Sequence, residues 1–224
     1  MVLVPAGEFV MGNNNGDSDE QPVHTAYLDA FYIDKYEVTN GLYKKCVDEG
    51  ICREPDKNWN SSYEHSTFYG KQEYNEYPVL YISGAMANTF CQWRGTRLPS
   101  DGEWEKAARG ADGRTYPWGE SIGCQYATYQ GCTGDVQPVG SYEMGVSPYG
   151  AFDLAGNVWE WVSEYSDEYF NSNEYTYNDN NYQIIRGGSW NSADASLRTT
   201  NRDRLGTHIV TDGIGFRCAR DANP

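Results

Sequence analysis

The sequence predicts a loop-rich fold in which three short helices and several short strands surround an aromatic core. Three observations carry that expectation. Hydroxyl N-caps precede three helical patterns, at Thr39, Ser83 and Ser100. Short strand-like apolar runs stand at both ends of the chain. Tyr (19) and Gly (24) are abundant while Leu-rich helical runs are scarce, so burial has to come from aromatic slabs and tight turns. With 224 residues and no linker-like stretch, the chain reads as one domain, 1–224, with one sizeable core.

In order along the chain, Val2, Val4, Phe9 and Met11 alternate around a turn at Ala6-Gly7, followed by a polar loop from Asn13 to Glu20. A second strand is expected through Thr25-Leu28, continued by Phe31-Ile33. Thr39 caps a helix with Leu42, Tyr43 and Cys46 on one face, ended by Gly50. Residues 53–77 lack periodicity and read as an irregular surface excursion. Ser83 caps a helix carrying Ala87, Phe90, Cys91 and Trp93, stopped by Gly95. Ser100 and Glu103 form a capping box at the start of a helix through Trp104 to Gly110. Residues 116–149 carry only Gly/Pro punctuation. An aromatic turn segment, Gly150-Val162, precedes a loop from Tyr165 to Tyr182. Two short strands, Gln183-Arg186 and Gly215-Cys218, close the chain around a long polar insert.

The formal net charge of −15, without any Lys/Arg cluster to offset it, repels phosphate backbones and excludes nucleic-acid binding. The same field favours divalent cations or basic partners. No apolar run is long enough to insert in a membrane, and Met1-Val2-Leu3-Val4-Pro5 lacks the charged start of a signal peptide. Six cysteines allow 15 connectivities. Spacing points to two local rings, Cys46 with Cys52 and Cys124 with Cys132, while the absence of CxxC and the remoteness of His24, His65 and His208 argue against zinc. A reducing cytosol would leave thiols, so disulfides would favour an extracytoplasmic or cell-surface location.

Five segments carry a resemblance: Val4-Pro5-Ala6-Gly7-Glu8-Phe9-Val10-Met11-Gly12, Gly95-Thr96-Arg97-Leu98-Pro99-Ser100-Asp101-Gly102-Glu103-Trp104-Glu105, Gly156-Asn157-Val158-Trp159-Glu160-Trp161, Arg186-Gly187-Gly188-Ser189-Trp190 and Gly215-Phe216-Arg217-Cys218. In this order, and spanning nearly the whole chain, they resemble the formylglycine-generating-enzyme, or sulfatase-modifying-factor, family. The resemblance implies an irregular α+β fold of the C-type-lectin kind, with small antiparallel sheets and two or three helices. It also implies a disulfide between Cys91 and Cys218, against which two buried free thiols stand as the alternative.

The family holds a calcium ion in the Gly-Asn turn. Carried over by position, its ligands are the Asp153 carboxylate, the Gly156 and Val158 carbonyls and the Glu160 carboxylate, and hard cations want such oxygens at short range. The bland reading is a turn capped by Glu160 with Asp153 solvated. A second calcium position would fall at Ala127, Thr128 and Asp135, where Thr128 is a poorer ligand than the usual amide.

Copper(I) is soft and needs thiolates. The resembling oxidases place two cysteines after the Arg-Gly-Gly-Ser motif, and here those positions are Ser192 and Leu197. No copper is therefore expected. Ser189 matches a family active-site serine but has no neighbouring base in sequence to activate it.

Diversity-generating retroelement variable proteins share this fold and contact ligands between the Gly-Gly-Ser-Trp and Gly-Phe-Arg segments. Their randomised Asn codons cannot encode Lys, Glu, Gln, Met or Trp, and none of these occurs from Asn191 to Ile214. The ligand-contacting candidates are Trp190, Asn191, Ser192, Asp194, Ser196, Asn201, Asp203, His208 and Asp212. The leading expectation is a non-catalytic domain binding a protein or small ligand through the 190–214 surface. The alternatives are an oxidase of the resembling family, or a divergent enzyme, acting on sulfatase-like peptides, and an accessory domain of a kinase or secretion system.

Overall fold

A computed structural model describes residues 1–56, 68–165 and 182–222. The expected loop at 165–182 and the middle of the 53–77 excursion fall largely outside them.

Each N-cap forms as the sequence expects. The Thr39 hydroxyl accepts from the Leu42 amide (3.3 Å) to open α1, Asn40–Asp48. Ser83 accepts from Met86 (3.4 Å) ahead of α2, Gly84–Trp93. Ser100 and Glu103 exchange both bonds of the capping box (3.1 and 2.7 Å) ahead of α3, Asp101–Arg109. These bonds satisfy backbone donors that a helix start leaves without partners. Arg97 forks onto Glu103 at 2.6 and 2.7 Å, holding the box against the preceding chain.

Nine strands are described: β1 Val2–Val4, β2 Gly7–Met11, β3 His24–Leu28, β4 Phe31–Ile33, β5 Trp159–Tyr165, β6 Tyr182–Arg186, β7 Arg202–Gly206, β8 Ile214–Phe216 and β9 Ala219–Asp221. They form a three-stranded sheet ordered β1-β4-β9, a two-stranded sheet β2-β3, and a four-stranded sheet β7-β6-β5-β8. Several expectations change here. β3 is not continued by β4, because the break at Asp29-Ala30 sends the two strands into different sheets. The polar insert contains a strand, β7, paired antiparallel with β6, and a 3-10 turn at Asp194–Leu197. The last strand splits into β8 and β9, with Cys218 between them. β8 runs parallel to β5, an exception to the otherwise antiparallel pairing.

β5 lies inside the largest sheet, and the alternation of a strand sends its side chains to both faces. Trp161 enters a cluster with Tyr43, Phe90 and Phe216, while Val162 enters another with Phe31, Ile33 and Trp104. Phe90 lies 5.4 Å from both Tyr43 and Phe216, centroid to centroid. Full burial of such a ring stabilises by about 2–3 kcal/mol. No helix among the described residues is long and apolar enough to cross a membrane.

All six cysteines are paired, as Cys46–Cys52, Cys91–Cys218 and Cys124–Cys132. Such pairing suits an oxidising compartment. Cys91–Cys218 ties α2 to the C-terminal strands across 127 residues, whereas Cys124–Cys132 closes a loop across 8. Loop-closure entropy therefore predicts unequal losses: Cys91→Ala/Cys218→Ala should cost about 5 kcal/mol and Cys124→Ala/Cys132→Ala about 2.5 kcal/mol. Urea unfolding of the two double variants measures this, and equal losses would contradict the assignment of the long bridge as the main covalent brace.

Candidate functional site

One set of buried charges meets at the aromatic turn between Gly150 and Val162. Glu160 faces inward from β5 and is fully buried. The Arg217 guanidinium, also fully buried, forks onto it: Nε to Oε2 at 2.7 Å and Nη2 to Oε1 at 2.6 Å. The Trp104 indole N–H adds a third bond, 2.8 Å to Oε2. Arg217 is further satisfied by the carbonyls of Asp34 (3.1 Å) and Phe152 (2.8 Å).

A second buried acid, Glu37, accepts from the Asn157 side-chain amide (2.6 Å) and from the Val158 amide (3.2 Å). A third acid, the half-buried Asp153, accepts from the Gly140 amide at 2.7 Å. Three carboxylates thus share one guanidinium. Burial, reinforced by the charges of Asp153 and Glu160, raises the Glu37 carboxyl well above the usual carboxylate range. Burial likewise pushes Asp153 up to about 6, opposed by the Gly140 amide and Arg217.

Asn157 joins this charge centre to the surface. Its backbone amide donates to the Thr128 carbonyl (3.0 Å) and its side-chain oxygen accepts from the Gln137 amide (2.9 Å). Its carbonyl accepts from the Trp190 amide at 2.8 Å. Gly156 must be glycine: its φ is +78°, and a Cβ would lie 2.2 Å from the Thr128 carbonyl oxygen. Of the four positions expected to hold calcium, Asp153 and Glu160 do converge on this buried centre, but both Glu160 oxygens already accept from Arg217 and Trp104. Sequence reasoning missed Glu37 and Arg217. The signal available was Arg217 inside an apolar Gly-Phe-Arg-Cys run, since a buried arginine requires a buried acid.

The ligand-contacting candidates separate into groups. Asn191, Asp194, Asp203 and His208 are exposed, and Trp190, Ser192 and Ser196 are half-buried. Trp190 packs on the cluster of Phe68, Tyr81 and Val210, with its indole N–H 3.2 Å from the Asp212 carbonyl. Asn201 and Asp212 are buried, against the expectation of a surface role. The base of the insert is clamped, which accounts for Asn201: its carbonyl accepts from the buried Arg186, whose Nη2 lies 2.5 Å from Glu105. Nearby, Arg198 and Thr200 each hold Glu20 at 2.5 Å.

The two positions where copper cysteines would stand hold no donor for that metal. Leu197 is fully buried in an apolar cluster with Tyr116, Ala127 and Ala155. The Ser192 hydroxyl lies 2.9 Å from that of Ser189, which itself donates to Asn191 Oδ1 (2.7 Å). Among the described residues no basic side chain stands among the hydrogen-bond partners of Ser189.

The model of the sulfatase-modifying factor enzyme 1-like domain matches residues 1–222. The chain belongs to that family. Over 99% of its length it is 32% identical to the serine/threonine-protein kinase Pkn1 of Chlamydia trachomatis, of which it spans 38%. It is 31% identical, over 99% of its length and 88% of the relative, to the inactive C-alpha-formylglycine-generating enzyme 2 of Bos taurus. The solved structure of Treponema denticola variable protein 1 shares the fold, with a TM-score of 0.77 at 20% identity over 98% of this chain and 94% of that one.

Within this family member the buried acids make a pH prediction. Asp153 holds its proton in the folded state to about pH 6, above its ordinary value of 3.8. The folded state therefore binds more protons than the unfolded one between those values, and stability falls as pH rises through that window. Asp153→Asn removes this titration. In calcium-free buffer the stability of the variant relative to the parent should climb between about pH 4 and pH 6, by on the order of 3 kcal/mol, and then level off. Urea melts across that range test it, and a difference independent of pH would refute the assignment.

Proposed function

We propose that this chain is a non-catalytic recognition domain that binds a protein or small ligand through the 190–214 surface, in the manner of diversity-generating variable proteins. The observation that carries the reading is the donor set after the Arg-Gly-Gly-Ser turn. Leu197 is sealed in a core cluster, Ser192 is bonded to Ser189, and every cysteine is tied up in a disulfide. Copper(I) does not fit there. A hydroxyl without a base is no activated nucleophile either. The inactive relative and the fold shared with a variable protein support the same reading. What remains is a loop surface with Asn191, Asp194, Asp203 and His208 exposed, mounted on a scaffold braced by disulfides and buried ion pairs. Surfaces of short polar side chains around an aromatic anchor suit recognition.

Incubating the purified chain with copper(I), oxygen and a cysteine-bearing sulfatase-type peptide should leave the peptide mass unchanged. Oxidation of the peptide cysteine would restore the oxidase reading. Photo-crosslinkers placed at Asn191 and His208 should capture a bound partner, whereas capture only from positions outside 190–214 would remove the surface assignment.

A second reading is favoured by one observation: the similarity to Pkn1 runs along 99% of this chain yet spans 38% of that kinase. We infer that the domain also serves as the accessory recognition module of a longer protein.

The charge centre is proposed to take one calcium ion through the Asp153 carboxylate, the Gly156 and Val158 carbonyls and, more weakly, Glu160. The excess of Glu37, Asp153 and Glu160 over Arg217 supports a cation there. Among the described residues no three acidic, His or Cys side chains gather to hold a metal by themselves, so carbonyls have to supply part of the shell. Calcium at up to millimolar concentration should raise the melting temperature of the parent at neutral pH and leave Asp153→Ala, which removes the ligand oxygen altogether, unchanged. An unresponsive parent would rule the ion out.

A further inference from the structure

We propose that a ladder of stacked rings beside the 190–214 surface, Tyr116, Trp118 and Tyr126, forms together with Asp194 a docking surface for an arginine-rich segment of a partner protein. The proposal rests on the recognition reading above and names the partner's chemistry. Tyr116 and Trp118 have centroids 5.5 Å apart, and Trp118 and Tyr126 5.0 Å, both pairs within 7° of parallel. Tyr116 is buried against Leu197, whereas Trp118 and Tyr126 are half-exposed, so the ladder runs outward from the core.

The ladder is held in place. The Trp118 indole N–H donates to the Ser121 carbonyl at 2.6 Å, and the Cys124–Cys132 disulfide closes the loop that carries Tyr126. Two backbone bonds lace this segment to the candidate surface: the Gln130 amide to the Ser192 carbonyl (3.0 Å) and the Thr199 amide to the Thr115 carbonyl (2.8 Å).

Charge selects a cation. Asp194 and Glu120 are exposed beside the ladder, and both act electrostatically on the Tyr116 hydroxyl. Glu120 accepts from the Thr115 amide and hydroxyl (3.2 and 2.6 Å), and the cation that acts on it, Arg114, is itself paired with Asp112. The cation acting on Tyr116, Arg198, is committed to Glu20 and Asp17. Shape then selects among cations. A spherical quaternary ammonium is held best by a box of rings set at angles, and this stack is flat. A planar guanidinium lies parallel to a ring face while its N–H fork reaches a carboxylate, whereas a lysine ammonium is a compact, strongly hydrated point charge.

Tryptophan fluorescence of the whole chain should report binding of a short peptide of alternating arginine and glycine, about fivefold tighter than its lysine counterpart, since a cation–π contact contributes roughly 1 kcal/mol. Tyr126→Leu, which removes the outermost ring of the ladder, and Asp194→Asn should each weaken the arginine peptide by about fivefold. If Tyr126→Leu does not fold, Asp194→Asn on its exposed turn carries the same test. Equal binding of the two peptides, no binding, or preference for a neutral oligosaccharide would overturn the proposal. Hydrogen exchange should show protection on 116–126 as well as 190–197. Protection confined to 190–214 would overturn the ladder while leaving the recognition surface intact, and failure of the crosslinking at Asn191 and His208 is what removes that surface.

Discussion

The Arg217 guanidinium and the Glu160 carboxylate meet in a bidentate pair from which water is excluded, and most of the chain is arranged around them. Glu160 projects from β5, whose neighbours are β6 and β8, and Arg217 follows β8 directly. The remaining bonds of the pair go to Trp104 on α3, to the Asp34 carbonyl after β4, and to the Phe152 carbonyl. In a low-dielectric interior a charge without its partner is strongly destabilising, and removing one half of such a pair costs on the order of 3–5 kcal/mol. The pair is therefore less a source of net stability than a condition on the fold: these elements must all arrive together, or charge is left buried alone.

Glu37 and Asp153 sit at the edge of the same condition. Burial first, and the neighbouring negative charges second, raise the proton affinities of both. Asn157 turns this tension into structure. It uses its side-chain amide on Glu37 and its carbonyl on Trp190, so a buried acid and the start of the exposed insert are two bonds apart. A second buried network, Glu105 with Arg109 and Arg186, clamps the base of the insert from beneath. The surface left over is short, polar and rigidly mounted, which is the combination recognition needs.

Local signals were legible where one residue settles local geometry. The caps at Thr39, Ser83 and Ser100, the terminating glycines and the short rings of Cys46–Cys52 and Cys124–Cys132 all depend on neighbours close in sequence. β7 was not legible. Its Arg202, Asp203 and Arg204 look like loop residues, because the strand lies at a sheet edge and Arg202 is satisfied by Asp101 at 2.9 Å instead of by apolar packing. β5 was hidden for a related reason: Trp159-Glu160-Trp161-Val162 buries residues toward both faces and shows no clean alternation.

The sequence by itself determined the three helix starts and the family motifs, since these are statements about residue identity and its immediate neighbours. Tertiary structure alone decided that Glu160 belongs to Arg217, that Asn201 and Asp212 are sunk beneath the insert while Asn191 and His208 remain outside, and that an aromatic ladder from 116–126 lies against the insert. The reason is separation: those contacts join residues tens of positions apart, and a side chain's partner at that distance is set by the packing of the whole chain and not by the chemistry of its own segment.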